Sequence, residues 1–291
     1  MRQILTLIAA RGTAQLVPEA VRRVRAEIRG GQPDELSPGE AVAMALDEVP
    51  DIAAVRAALD GAAIDAIVTP AVGRRKQLLI GDMDSTIVTG ETLDELADFA
   101  GLKERIAAIT ARAMNGELDF KAALRERVAM LRGLPLEALE RTWERVRLTP
   151  GARELVATMR AHGACAALVS GGFTFFTGRV AALCGFDLHR SNTLLDDGAA
   201  LTGQVAEPIL DRDTKLATLT ALAADRGLPL SATLAVGDGA NDLDMLRAAG
   251  LGVAFHAKPT VAAAAQVRVD HADLRALLFV QGYRADEFVT P

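Results

Sequence analysis

The sequence predicts an α/β protein: a parallel sheet covered on both faces, a helical insert after its first strand, and a small α+β unit in front. Three observations carry this expectation. From Leu78 onward, short apolar runs ("KQLLIGD", "GACAALVSGG", "SATLAVGDG", "LGVAFHA", "QVRVD") alternate with amphipathic helical stretches, as parallel strands joined by crossovers do. Between Glu91 and Thr149 the strand signal disappears, and "TLDELADFAGL", "KERIAAITARAMNG", "LDFKAALRERVAMLRGL" and "PLEALERTWERVRL" read as helices broken by glycine or proline. Ahead of Leu78, residues 3–9 alternate as a strand and "QLVPEAVRRVRAEIRG" reads as a helix ending at Gly30–Gly31. "EAVAMAL" and "IDAIVTP" then read as strands around a short helix near Asp51 to Leu59, and the basic "VGRRKQ" as a linker. The expected organisation is a unit over 1–72, a core over 76–90 and 150–291, and a helical cap over 91–149.

Composition narrows the function classes. With 291 residues, half of them hydrophobic and 24% charged, the chain can bury a sizeable core. A net charge of −6 gives no electrostatic reason to expect nucleic acid, and no apolar run is long enough to span a bilayer. Arg11 ends the apolar run of "MRQILTLIAARG" without a small-residue cleavage site, so a first strand is expected there rather than a signal peptide. Cys165 and Cys184 have no metal spacing and read as reduced core residues of a cytoplasmic protein. Of the 32 basic residues only five are lysines (Lys76, Lys103, Lys121, Lys215 and Lys258), so a lysine here can mark a place that needs a compact ammonium.

The stretch "LLIGDMDSTIVTGE" ends a greasy strand with two carboxylates that must repel each other. A surface turn can tolerate that. In open α/β sheets, however, ligands bind beyond the carboxyl ends of the strands. Reading only those positions gives Asp82, Asp84 and Thr86 after the first strand, and Ser170, Gly171 and Gly172 after "ACAALV". Asp238, Gly239, Asn241 and Asp242 follow "TLAVG", and Lys215 opens the helix before that strand. Any one cluster reads equally as a turn; together they read as a site. Clustered carboxylates with few nitrogen or sulfur donors suit Mg²⁺, and a lysine with glycine-turn N–H groups suits a phosphoryl group. No "GxxxxGK[ST]" is present, so a nucleoside-triphosphate loop is not the route. A carboxylate can itself attack phosphorus. Asp82 is the expected nucleophile, and Asp84, its pKa raised by neighbouring anions, the expected proton donor to the leaving oxygen.

"DMDST", "SGG", Lys215 and "GDGAND", in that order, resemble the four motifs of the haloacid dehalogenase superfamily, most closely its phosphoserine phosphatase branch. The likeness covers about residues 76–280, including "GELDFKAALRERVAML", "LVSGGF" and "AVGDGANDLDML". It implies a Rossmann-like sheet with a C1-type helical cap. It also implies Mg²⁺-dependent hydrolysis of O-phospho-L-serine, the last step of L-serine synthesis, through an aspartyl-phosphate. By the same likeness Asp82, the backbone carbonyl of Asp84 and Asp238 hold the metal, with Asp242 acting through a water. Ser170 and Gly171 hold phosphate oxygens, Lys215 neutralises the phosphoryl group and Asp82, and Asn241 positions Lys215 or phosphate. Glu91 and Arg127 take the substrate ammonium and carboxylate, under an apolar lid of Phe120 and Met114. Thr86, Gly172, Thr174 and Asp211 stand around these groups. Without the likeness, Asp242 reads as a helix cap, Glu91 and Arg127 as a solvated helix face, and Phe120 and Met114 as core. Residues 1–72 are similar only in outline to small amino-acid-sensing (ACT-type) domains, which implies regulation or a homodimer contact. The alternatives are a related small-metabolite phosphomonoesterase or phosphotransferase, and an amino-acid-binding regulatory protein with an inert phosphatase half.

Overall fold

The computed structural model describes residues 2–12, 15–114 and 119–290. The first strand, β1 (Gln3–Ala9), leads into helix α1 (Pro18–Ile28), which starts on Pro18 and is closed by Arg29 in the left-handed region. Strands β2 (Pro33–Ser37) and β3 (Ala41–Leu46), helix α2 (Ile52–Ala58) and strand β4 (Ile64–Pro70) follow. They form an antiparallel sheet in the order β2-β3-β1-β4. Strand β2 has no apolar alternation in "PDELS"; it exists because it pairs with β3 at the sheet edge.

Alternation within β1 sends side chains to two different places. Leu5, Leu7 and Ala9 join Val21 and Val24 of α1 and Val55 of α2 in a small core of their own. Ile8, with Ala41, Ala43 and Ile67, faces the other way and shares the main core with Phe279 and Tyr283.

The second sheet is parallel, in the order β12-β11-β10-β5-β6-β7. Its strands are β5 (Leu78–Gly81), β6 (Cys165–Phe173), β7 (Leu188–Asn192), β10 (Thr233–Gly237), β11 (Leu251–Phe255) and β12 (Val267–Val269). Helices α3 (Thr92–Phe99), α4 (Lys103–Met114), α5 (Phe120–Ala129) and α6 (Glu137–Trp143) form the insert between β5 and β6, and α7 (Ala152–Ala161) returns the chain to the sheet. Around the later strands lie α8 (Thr174–Cys184), α9 (Arg212–Asp225), α10 (Leu243–Ala248), α11 (Pro259–Ala264) and α12 (Ala276–Val280). The central strands β5 and β10 are buried along their whole length, as the continuous apolar runs require.

Strand β7 and the hairpin β8 (Leu194–Asp196) with β9 (Leu201–Val205) were not legible as apolar runs. The hairpin turns at Gly198 (φ 90°), with Asp197 accepting the amides of Ala199 and Ala200. It packs against α5 so closely that a Cβ on Gly203 would sit 2.8 Å from the Arg132 Cβ. Cys184 is buried and its thiol is pushed up to about 12, whereas Cys165 is only partly buried, because the start of β6 lies at the sheet rim rather than in the core. No helix among the described residues is long and apolar enough to cross a membrane.

The two sheets are joined by directional polar contacts as well as by apolar packing. Asp65, buried on β4, accepts the amides of Asp270 (2.8 Å), His271 (3.2 Å) and Ala272 (2.8 Å), just past β12. Arg275 pairs with Glu40, and Arg74 donates to the carbonyls of Phe279 and Val280. Replacing Asp65 by Ala leaves three amide donors without their acceptor, that of Ala272 buried and those of Asp270 and His271 part-buried. We expect Asp65→Ala to cost at least ~2 kcal/mol in urea unfolding, with Asp65→Asn intermediate; a loss within error of zero would show that water replaces the carboxylate freely.

Candidate active site

The parallel strands end in one cleft. β5 and β10 are paired in register, Gly81 opposite Val236, so the residues after each emerge side by side. Asp82 follows β5, Asp238 follows β10, and Ser170 to Gly172 lie at the end of β6. Past Asp82 the chain makes a tight turn. Ser85 is left-handed (φ 55°), its amide donates to the Gly90 carbonyl, and its hydroxyl donates to Glu91 Oε1 at 2.7 Å. This turn carries Glu91 back to the mouth of the site.

Lys215 lies at the centre. Its Nζ is 2.7 Å from Asp82 Oδ1 and 2.5 Å from Asp242 Oδ1, and it is only 2% exposed. Three separate elements create this contact. Asp211 caps α9 through the amide of Asp213, and the Thr214 hydroxyl accepts the Asp211 amide, which fixes the first turn that bears Lys215. Asp242 accepts the Gly239 amide through Oδ2, closing the turn that precedes it, and makes no side-chain cap to the helix that follows, so the helix-cap reading of Asp242 is corrected: its carboxylate is held by that turn and by Lys215. Its carboxylate reaches Lys215 over the end of β10, where a Cβ on Gly237 would lie 2.3 Å from the Asp242 carboxyl carbon. Only glycine fits there.

Asp82, Asp238 and Asp242 offer carboxylate oxygens within 4.8 Å of one another. Thr86 donates to Asp238 Oδ1 at 3.3 Å. Three buried carboxylates against one ammonium leave an excess of negative charge that burial makes expensive. The oxygen donor set fits a hard divalent cation. The same imbalance sets the proton affinities. Burial first, then Asp242, raises Asp82 well above the usual carboxylate range, despite Lys215. Burial, Asp242 and Glu91 push Asp238 up to about 6. Burial pushes Asp84 up to about 7, with Glu91 as the largest anionic contribution. The expectation that neighbouring anions raise Asp84 is therefore corrected in rank: loss of solvent dominates.

The Asp84 side chain accepts the Thr92 amide at 2.9 Å. Gly172 faces it: a Cβ there would meet Asp84 Oδ2 at 2.8 Å and Ser170 Oγ at 3.1 Å. Ser170 accepts the Gly172 amide, and the Gly171 carbonyl is held by Asn192. The cleft, about 160 Å³, is lined by Asp82, Asp84, Ser170 and Asp238 on the core side, and by Leu93, Phe120, Leu124 and Arg127 from the insert. Glu91, Gly171 and Asn241 line it too. Asn241 stands on its wall, while Lys215 is positioned by the two carboxylates. Burial lowers the Arg127 pKa, opposed by the Asp94 and Glu91 carboxylates.

Three of the surrounding groups do not line the cleft: Thr86 lies behind it on Asp238, and the other two are used elsewhere. Thr174 begins α8 and donates to Thr193, and Asp211 is spent on its cap and on an ion pair with Lys121 of α5 (3.0 Å). The Met114 side chain lies outside the described residues. Lys258, which lines the cleft beside Asn241, was missed by motif reading; the scarcity of lysine was the one signal that pointed to it.

The sequence pattern of the haloacid dehalogenase-like hydrolases matches residues 79–247. The chain belongs to this family. The chain is 45% identical over 223 residues to a phosphoserine phosphatase of Streptomyces coelicolor, a match covering 76% of this chain and 54% of that protein. The matched part thus spans about half the length of that longer relative. A phosphoserine phosphatase of Streptococcus thermophilus is 46% identical over 199 residues, covering 68% of this chain and 93% of its own. The crystal structure of a probable phosphoserine phosphatase from Vibrio cholerae superposes with a TM-score of 0.81 at 35% identity, over 97% of this chain and 86% of that one.

The raised Asp84 carboxyl has a measurable consequence. The unfolded chain ionises this group near ~4, and the folded one at about 7. Folding is therefore progressively penalised as pH rises from the lower value to the upper one, and the penalty is constant above it. In chelator-treated protein Asp84→Asn should raise Tm by roughly 3–8 °C at pH 8 and leave it unchanged near pH 4. A gain of the same size at both pH values would place the cause elsewhere.

Proposed function

We propose that this hydrolase cleaves O-phospho-L-serine to L-serine and phosphate. One observation carries the reading: a single small cleft is lined by Asp82 and Asp84 and also by Glu91 and Arg127. Phosphoserine needs both ends, a phosphoryl-handling end and an anion–cation pair for its ammonium and carboxylate. Relatives named phosphoserine phosphatase, at 45–46% identity, support the same substrate.

In this reading the carboxylate oxygen of Asp82 not held by Lys215 attacks phosphorus. The P–O ester bond breaks, and the leaving serine oxygen takes the proton from Asp84, whose raised pKa keeps a proton available near neutrality. Asp84, now a carboxylate, then removes a proton from water. That water attacks phosphorus and releases Asp82 and phosphate. Mg²⁺, held by Asp82, Asp238 and the Asp84 carbonyl with Asp242 behind, supplies positive charge to the phosphoryl oxygens when bound. Lys215 opposes the protonation of Asp82 that burial favours, while Ser170 and the Gly171 amide hold phosphoryl oxygens. Phe120 and Leu124 exclude water from the ester, and Met114, at the end of α4, is assigned to the same lid. Among the described residues, none of 1–72 lines the cleft, and we assign this segment to regulation or to a homodimer contact.

Phosphate release assayed over phosphoserine, phosphothreonine, phosphoethanolamine and sugar phosphates should show a clear preference for phosphoserine, lost on chelation and restored by Mg²⁺. Asp82→Asn should abolish steady-state turnover with the fold intact, since an amide cannot form the acyl phosphate; residual turnover at a few per cent or more would refute the covalent route.

Arg127→Ala separates the two ends. Loss of a charge-assisted contact should lower kcat/KM for phosphoserine by roughly ten- to a hundredfold. Phosphoethanolamine, which has no carboxylate, should lose far less. Equal losses would mean that Arg127 only supports the insert.

A further inference from the structure

Lys258 stands on the core wall of the cleft, opposite the insert, and none of the roles above uses it. Its position is built by a constrained loop. After β11 the backbone turns at His256 (φ 44°), whose amide donates to the Val269 carbonyl and whose ring nitrogen Nε2 lies 2.8 Å from the Ala272 carbonyl. Two residues on, the Lys258 amide donates to the Asp238 carbonyl at 3.3 Å. The loop is thus fastened to the strand end that carries the carboxylate cluster. Lys258 borders the cleft together with Asp238, Gly239 and Asn241, and also the gap between the core and Ala123 and Arg127 of α5.

The charge distribution shows what it is for. Four carboxylates line the cleft: Asp82, Asp84, Glu91 and Asp238. Lys215 is committed to Asp82 and Asp242 and is sealed from solvent. Arg127 lies under the charges of Asp94 and Glu91. The Lys258 ammonium, exposed at the mouth, has no hydrogen-bond or ion-pair acceptor among the described residues. An anionic ester entering this acidic cleft therefore meets, on the side away from Arg127, a cation with no close acceptor, attached to the wall that leads to Asp238, whose proton affinity it lowers.

We propose that Lys258 binds the phosphoryl group of the incoming phosphomonoester, meeting one of its oxygens at the mouth and holding it on the core side. The inference rests on the phosphatase reading for the substrate class only. It predicts a contribution common to all phosphomonoesters, in contrast to the carboxylate-specific contribution of Arg127.

The test uses full-length protein with Mg²⁺, wild type against Lys258→Gln and Lys258→Arg. Binding of inorganic phosphate is measured by calorimetry, and kcat/KM on phosphoserine and phosphoethanolamine. Lys258→Gln should weaken phosphate about tenfold and lower kcat/KM on both esters by a similar factor, chiefly through KM. Lys258→Arg should restore most of both. The salt dependence of kcat/KM should be shallower in Lys258→Gln than in wild type, a change that a merely structural role would not produce. The side chain is exposed, so the fold is not at stake. Phosphate affinity within twofold of wild type overturns the proposal, and so does a loss confined to phosphoserine, which would assign the ammonium to the carboxylate end. The phosphate measurement does not depend on turnover: a wild type inactive on phosphoserine would refute the proposed reaction and leave this inference standing or falling on its own.

Discussion

An ammonium sealed between two carboxylates makes demands on every element that touches it. Removing one partner of such a buried group typically costs about 3–5 kcal/mol, because the remaining charge stays buried without compensation. The Lys215 contact therefore depends on β5 delivering Asp82, on the first turn of α9 delivering the lysine, and on the turn after β10 folding Asp242 back over Gly237. These segments are far apart in sequence and meet only because the parallel sheet aligns its strand ends. The triad also leaves the site short of positive charge. That shortage makes the carboxylates receptive to a cation.

Asp211 connects the lysine–carboxylate cluster with the insert side of the cleft. It caps the helix bearing Lys215, and its carboxylate pairs with Lys121, in the first turn of the helix bearing Phe120 and Arg127. Arg125 of the same helix pairs with Glu207, and the β8–β9 hairpin packs beneath it. The insert is fastened to the core close to the phosphoryl end, so the distance between the two ends of a bound ligand is fixed by contacts that are themselves outside the cleft. Exposed ion pairs of this kind add little stability; their effect here is on alignment.

The sheet strands that carry chemistry were legible because they are buried on both faces and so are apolar throughout. The edge strands were not. "PDELS" and "LHRSN" are polar enough to read as loops, and they become strands only through their partners. The two carboxylates of "DMDST", the glycine turn of "LVSGGF" and the acidic "GDGAND" could be placed together by reading only the residues beyond each strand, since topology then does the gathering. Asp211 looked like one more acid near the site, because a helix cap and an ion pair leave no signature beyond the residue type. Lys258 had no motif at all. Glu91 and Arg127 were indistinguishable from a solvated helix face by periodicity, and the turn at Ser85 that brings Glu91 to the cleft depends on a backbone conformation that a serine does not advertise.

Asp65 was equally silent: one acid in an alternating strand, whose three amide partners lie more than 200 residues away. The amides belong to the segment whose Ala272 carbonyl meets the His256 ring, and His256 begins the loop that presents Lys258. In this chain those three amides find their acceptor in the N-terminal sheet. The Lys258 loop is shaped in part by a neighbour, and the N-terminal sheet is a component of the scaffold that an isolated catalytic part would need to replace.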